Sequence, residues 1–298
     1  MRARYRDIAG LIMVAILVCF AFVLGGCVDQ HPDAKQTSQK EARLIATSAA
    51  TMDICNELDL DLVAIGNTSH EIPAKYADLP RIGYPMNPDM EMIKSLSPDY
   101  ILSPATLQND LEPRYKKAGC QYIFLNLKSV EGMYDSILEL GDKFDRKDKA
   151  QAMKDDFDSY MSEYRKKNEG KASPRVLILM GLPGSYLIAT PKSYVGNLVE
   201  LAGGTNVFQD SDGEFLNVNT EELKMCEPDV ILRSAHGIPD EVTKMFADEF
   251  ETNQIWKHFK AVQNQRVYDL DSDYYNMSAT LDYKTALEGL QPLLYDQQ

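Results

Sequence analysis

Glu91-Met-Ile-Lys-Ser-Leu-Ser-Pro-Asp-Tyr-Ile-Leu102 and Glu221-Glu-Leu-Lys-Met-Cys-Glu-Pro-Asp-Val-Ile-Leu232 are two copies of one pattern, offset by 130 positions. Each reads as a helix stopped at a Pro-Asp turn that feeds a buried strand. Agreement at Glu, Lys, Pro, Asp, Ile and Leu points to two similar lobes. Outward from the copies, short apolar runs alternate with helical patterns. The strand-like runs are Arg43–Ala46, Leu62–Ile65, Tyr100–Leu102, Tyr122–Leu125, Val176–Met180, Val230–Leu232 and Val267–Leu270. Asp53–Leu58, Asp89–Leu96, Leu107–Lys117 and Val130–Leu140 read as helices between the early ones. That alternation predicts an α/β fold of two Rossmann-like lobes, with parallel strands and crossover helices.

Between the copies, Asp142 to Asn168 reads as one long helix with Gly141 and Gly170 at its ends. Ala150, Met153, Phe157, Tyr160 and Tyr164 follow 3,4,3,4 spacing, so one stripe is apolar and the rest is charged. Some 26 residues at about 1.5 Å each give ~39 Å, enough to cross from lobe to lobe. The expected division is therefore a lobe over residues 41–141, a connecting helix within 142–170 and a second lobe over 171–298, with the ligand cleft between the lobes.

The amino terminus carries a different signal. Arg2, Arg4 and Arg6 precede an uncharged apolar run, Ile8 to Leu24, which ends at Leu24-Gly25-Gly26-Cys27. A basic head, an apolar stretch and small residues before a cut make an export signal. The Leu-x-Gly-Cys pattern is that of a bacterial lipobox, in which the cysteine carries the lipid. The reading is a signal peptide over 1–26, a lipidated Cys27 and a solvated tether over 27–40, which includes His31. An uncleaved membrane anchor is the alternative, and both readings place the chain outside the cytoplasmic membrane. Of the five cysteines, Cys19 leaves with the leader; Cys55, Cys120 and Cys226 read as buried free thiols.

With 45 acidic against 31 basic residues the formal net charge is -14, which argues against a partner recognised through nucleic-acid phosphates. Dinucleotide and P-loop glycine patterns, a zinc-protease helix and a nucleophile elbow are all missing from the sequence. No residue set argues for catalysis, so an exported two-lobed protein reads as a receptor for a solute. Ligands of such sheets bind beyond the carboxyl ends of the strands. His236 follows Leu232 by four positions and lies in such a loop. Met86 sits in Gly83-Tyr-Pro-Met-Asn-Pro88, where two prolines stiffen the backbone. Imidazole and thioether are poor ligands for Mg²⁺ or Ca²⁺ but suit soft metals and haem iron. Each also has an ordinary structural alternative, a hydrogen-bonded histidine or a core methionine. His70, in the loop after Leu62–Ile65, is a rival ligand, and His258 reads as structural. Thr47, Ser48 and Ala49 open a helix whose N–H groups can hold a carboxylate or simply be capped.

Four stretches carry a resemblance: Arg81-Ile-Gly-Tyr-Pro-Met-Asn-Pro88, Val176 to Thr190, Leu232 to Val242 and Ile255-Trp-Lys-His-Phe-Lys-Ala-Val262. They resemble the haem receptors within the helical-backbone family of siderophore, cobalamin and haem receptors of ABC importers. The resemblance runs from the lipobox to the C-terminus, and the Pro-Asp repeats are shared across the family. It implies that Met86 and His236 bind the iron of haem b, the transported ligand, from opposite lobes. It implies that the propionates rest near Thr47, Ser48 and Ala49. It further implies that Glu91 and Glu221 dock an ABC transporter permease, and that cell-wall donor proteins supply haem to a receptor lipid-anchored on a Gram-positive cell membrane. The other readings are a ferric-siderophore or cobalamin receptor, for which Met86 and His236 are incidental, and a secreted haem-modifying enzyme, for which no nucleophile–base pair is offered.

Overall fold

Asp99 and Asp229, the aspartates of the two Pro-Asp turns, do the same work in the computed structural model, which describes residues 41–295. The Asp99 N–H donates to the Arg43 carbonyl at 2.8 Å, and its carboxylate accepts from the Arg43 N–H at 2.7 Å. Asp229 clamps Arg175 in the same way, at 2.8 Å in both directions. Each clamp sets a strand against its neighbour: Leu44 pairs with Tyr100, and Val176 with Val230. The Pro-Asp repeat is thus a register device that starts a parallel strand pair in each sheet.

The first sheet is built from β1 (Leu44–Ala46), β2 (Leu62–Ile65), β5 (Tyr100–Pro104) and β6 (Tyr122–Leu125), in the order β2-β1-β5-β6 and all parallel. A small hairpin, β3 (Gly83–Tyr84) and β4 (Asn87–Pro88), lies between β2 and β5 in sequence. The helices of this part are α1 (Ala49–Glu57), α2 (Met90–Leu96), α3 (Gln108–Ala118) and α4 (Val130–Lys143). Ser48 and Thr51 form a reciprocal capping box on α1, and Asp89 and Ser129 cap α2 and α4. These side chains satisfy first-turn N–H groups that have no partner within a helix.

One expectation shifts at the connection. The long helix is α5 (Lys147–Asn168), about 33 Å at 1.5 Å per residue, and does not begin at Asp142. Asp142 and Lys143 belong to α4, and Asp145, at φ 58, reverses the chain between the two helices. Gly141 lies inside α4, where the Ala150 methyl of α5 occupies the space a side chain would need. The expected stripe holds: Ala150, Phe157 and Tyr164 are buried.

The second sheet contains β7 (Arg175–Leu182), β8 (Ser185–Ala189), β9 (Thr205–Asn206), β10 (Phe215–Asn217), β11 (Val230–Ala235) and β12 (Val267–Leu270). Its order is β10-β8-β7-β11-β12, with β9 beside β7. This sheet is mixed: β8 runs antiparallel to β7 and β10, a departure from the all-parallel expectation. Ser185–Ala189 has a polar start and an apolar end and gives no strong strand signal by itself. Its pairing follows from the two-residue turn Pro183-Gly184, with Gly184 at φ 78. Besides the single turn Lys260–Gln263, the remaining helices are α6 (Tyr194–Leu201), α7 (Thr220–Met225), α8 (Pro239–Thr252) and α9 (Tyr283–Tyr295).

The strut α5 is clamped along its length to α9. The Tyr164 hydroxyl donates to the Leu287 carbonyl at 2.6 Å, and Lys167 pairs with Glu288 at 2.7 Å. Tyr134 stacks on Phe157 and meets Tyr283 edge-on, so one aromatic cluster joins α4, α5 and α9.

Candidate functional site

In the first sheet, the chain beyond β2 is drawn back against the sheet's edge. Ile65 donates to the Pro80 carbonyl and Ile82 donates to the Ile65 carbonyl, at 3.1 and 3.0 Å. Asn67 then donates to the Gly83 carbonyl at 2.8 Å. Gly83 takes φ 87, a left-handed value that costs a side-chain-bearing residue strain, and starts the hairpin. Pro85-Met86 forms its tip between the paired residues Tyr84 and Asn87. The Arg114 guanidinium of α3 holds the second strand through Asn87 Oδ1 at 3.1 Å and the Pro88 carbonyl at 3.0 Å. Met86 is therefore presented at 72% exposure from an anchored turn at the carboxyl end of β2, with Tyr84 beside it at 69%.

His236 follows the last residue of β11, at the carboxyl end of the second sheet. Its N–H donates to the Gly181 carbonyl at 2.9 Å, extending the β11–β7 pairing by one residue. Gly237, at φ 94, turns the chain toward Pro239, which opens α8. The imidazole is half-buried, and desolvation holds its pKa below the ordinary value. It is neutral at neutral pH, the form that binds a metal. Ile238, next in the same turn, is 53% exposed. Tyr84, Met86 and Ile238 are three of the four large hydrophobic residues exposed among the described residues; Met225 is the fourth.

Thr47, Ser48 and Ala49 lie where β1 passes into α1. Gly66 backs this turn: its N–H donates to the Ala46 carbonyl at 2.8 Å, and any side chain there would collide with the Thr47 carbonyl. The Thr47 hydroxyl faces inward, bonded to Ser103 Oγ at 2.9 Å, which in turn meets the Tyr115 hydroxyl at 2.9 Å. The Ser48 hydroxyl is engaged in its own cap. What this turn offers a carboxylate is the first-turn N–H groups of Ala49 and Ala50, which have no acceptor within the helix.

Glu91 and Glu221 occupy matching positions in the first turns of α2 and α7, both well exposed, each paired with the lysine three residues on at 3.4 and 3.1 Å. His70 is exposed in the loop after β2, its N–H bonded to Thr68 Oγ1 at 3.0 Å. It lies near Asp53 of α1, a residue that no motif singles out. Burial, with Asp282 adding to it, raises the Asp53 carboxyl to about 6. His258 is exposed on the turn Trp256–His258. All three described cysteines are free; Cys55 alone is fully buried, its thiol pushed up to about 12, while Cys120 and Cys226 are half-exposed, contrary to expectation. Cys19, Cys27 and His31 lie outside the described residues. Among the described residues, no three His, Cys, Asp or Glu side chains cluster as a metal cage, and no helix is long and apolar enough to cross a membrane.

Two α/β sheets, a clamped strut and loops at the carboxyl ends of the strands define a two-lobed solute-binding protein with its cleft between the lobes. Residues 44–274 match the periplasmic binding protein family, and the chain belongs to it. It is a substrate-binding protein and not an enzyme. It is 41% identical over 287 residues to the high-affinity heme uptake system protein IsdE of Staphylococcus aureus strain Newman, covering 95% of this chain and 97% of that one. The fold matches an ABC transporter substrate-binding protein from Listeria monocytogenes EGD-e at TM-score 0.82 and 46% identity, over 86% of this chain and all of that one. It matches S. aureus IsdE complexed with heme equally well, at TM-score 0.82 and 42% identity over the same shares.

Proposed function

We propose that this protein is a haem receptor that captures haem b outside the cytoplasmic membrane and delivers it to an ABC importer. Met86 and His236 are the axial ligands, one from each lobe. The propionates rest at the amino end of α1, on the N–H groups beside Ser48 and Ala49, with Thr47 contributing through backbone because its hydroxyl is committed to Ser103. Cys27 carries the lipid anchor, residues 27–40 form the tether, and cell-wall proteins supply the haem. The lobes span 41–141 and 171–298. Glu91 and Glu221, equivalent by duplication, present matched carboxylates to basic pockets of the permease.

The observation that carries this reading is the exposure of Tyr84, Met86 and Ile238 around the two ligand positions. Exposed apolar side chains gathered in one patch, unlike single ones, mark a surface that a ligand covers. An apolar rim holding a thioether and a neutral imidazole suits a flat apolar macrocycle with a borderline iron at its centre. The test is a haemin titration of the purified full-length protein, which produces a Soret band. Met86→Ala and His236→Ala each alter the axial-ligand bands. A missing Soret shift, or a spectrum unchanged in both variants, refutes the assignment.

A further inference from the structure

The exposed stripe of α1 does not end at its capped terminus. Met52, Ile54 and Cys55 are buried, whereas Ala49, Asp53, Asn56 and Glu57 form the face left partly open. Asp53 is four residues from Ala49, so its carboxyl lies one turn along the same face from the N–H groups assigned to the propionates. Three charged groups act on it: Asp282, from the turn before α9, and Glu57, on its own helix, oppose its charge, and His70, from the loop after β2, favours it. Asp53 and His70 belong to the first lobe and Asp282 to the second. A half-buried carboxylate beside an anion site is unfavourable unless it has a purpose, and this one is opposed by a second carboxylate from the other lobe.

We propose that Asp53, tuned by Asp282 and His70, is a specificity-determining residue that reads the charge on the ligand's acidic edge and links its retention to a proton. Ionised Asp53 repels a ligand carboxylate held at Ala49, and protonated Asp53 does not. Binding a dicarboxylate therefore draws a proton onto Asp53, and retention strengthens as the pH falls through the region where Asp53 titrates. The carboxyl pushed up to about 6 by burial places that region in the mildly acidic range. If the bound ligand raises the Asp53 pKa by a further unit, retention changes about tenfold across the transition.

This inference rests on the haem reading, and the experiment separates the two. Haem loss from full-length protein to excess apomyoglobin is timed from pH 5.5 to 8 for the wild type and Asp53→Asn. Both haemin and haemin dimethyl ester, whose propionates are uncharged, are used. Groups common to both proteins, His236 and the propionates included, cancel in the ratio of their rates. With haemin the wild type releases several-fold to tenfold faster than Asp53→Asn above pH 7, and the ratio falls toward one by pH 5.5. With the dimethyl ester the ratio stays near one throughout. Asp282→Asn moves the midpoint of the haemin ratio to lower pH, and His70→Gln moves it higher, both without loss of fold. A pH-independent ratio, or the same profile for the ester, overturns the proposal while leaving haem binding intact. Absence of a Soret band in every variant overturns both.

Discussion

Ser103→Ala tests whether the turn at Thr47 is fixed by its buried hydroxyl chain. Thr47, Ser103 and Tyr115 are wholly inaccessible to solvent, and Ser103 Oγ is the middle member, 2.9 Å from each neighbour. Removing it strands two hydroxyls in the core. Each unsatisfied buried group costs about 1–3 kcal/mol, partly offset because the serine hydroxyl no longer has to be desolvated. The net expectation is a loss of about 2–4 kcal/mol, a large fraction of a stability that is itself on the order of 5–15 kcal/mol. Urea denaturation followed by circular dichroism reads it. With a slope of a few kcal/mol per molar, the midpoint falls by about 1 M. The exposed Ser95→Ala serves as control and moves stability by less than roughly 0.5 kcal/mol. Tyr115→Phe closes a double-mutant cycle: its cost shrinks or reverses once Ser103 is gone, a coupling of about 1 kcal/mol or more. A Ser103→Ala loss below about 0.5 kcal/mol, or strict additivity with Tyr115→Phe, refutes the idea that the three hydroxyls act as one network.

Gly66→Ala forces a methyl into the Thr47 carbonyl; an overpacking cost of about 1–3 kcal/mol is expected by urea denaturation, together with faster haem loss. Arg114→Ala frees the hairpin at Asn87 and Pro88; stability changes by about 1 kcal/mol, while the Met86 axial band weakens and haem release accelerates several-fold in stopped-flow absorbance. Asp53→Asn in the ligand-free protein has a defined pH signature. The folded carboxyl titrates at about 6 and the unfolded one near 3.8, so the wild type loses stability as pH rises between those values. The variant is more stable by about 1–2 kcal/mol above pH 7, after allowance for solvent screening, and equal to the wild type below pH 4. Equal urea midpoints for the two proteins at pH 8 would exclude the burial argument.

The duplicated elements were legible in the sequence because Pro-Asp turns and apolar strand runs are local signals. Every strand anticipated from its apolar run is present, extended by a residue or more in β5, β7 and β11. What escaped was set by tertiary contacts. The hairpin around Met86 depends on the Arg114 guanidinium and on Asn67 reaching Gly83, both long-range. Asp145 gave no warning of the break between α4 and α5, since aspartate in a left-handed turn is marked by conformation more than by identity. Asp53 was invisible because its character comes from Asp282 and His70, distant in sequence. Thr47 is recognisable as part of a helix start, but only packing shows that its hydroxyl faces Ser103.

The two halves also differ at the carboxyl ends of their strands, and the difference follows from what each first strand does next. β1 and β7 are equivalent, both central and both clamped by a Pro-Asp turn. β1 passes at once into α1, whose amino end faces the carboxyl edge of the sheet and favours anions. β7 instead turns back into the antiparallel β8, so no helix terminus stands at the equivalent place. In the second lobe His236, the ligand we propose, comes one strand further on, after β11, whose counterpart β5 runs into the turn Ala105–Leu107. The carboxylates Glu91 and Glu221 remain alike in the two halves, exposed in matching first turns, as the docking we propose for them requires. The ligand we propose is itself asymmetric, since haem carries its acidic groups along one edge. An anion-holding helix end on one lobe only, paired with an imidazole on the other, fixes the orientation of such a ligand in a way two identical lobes would not.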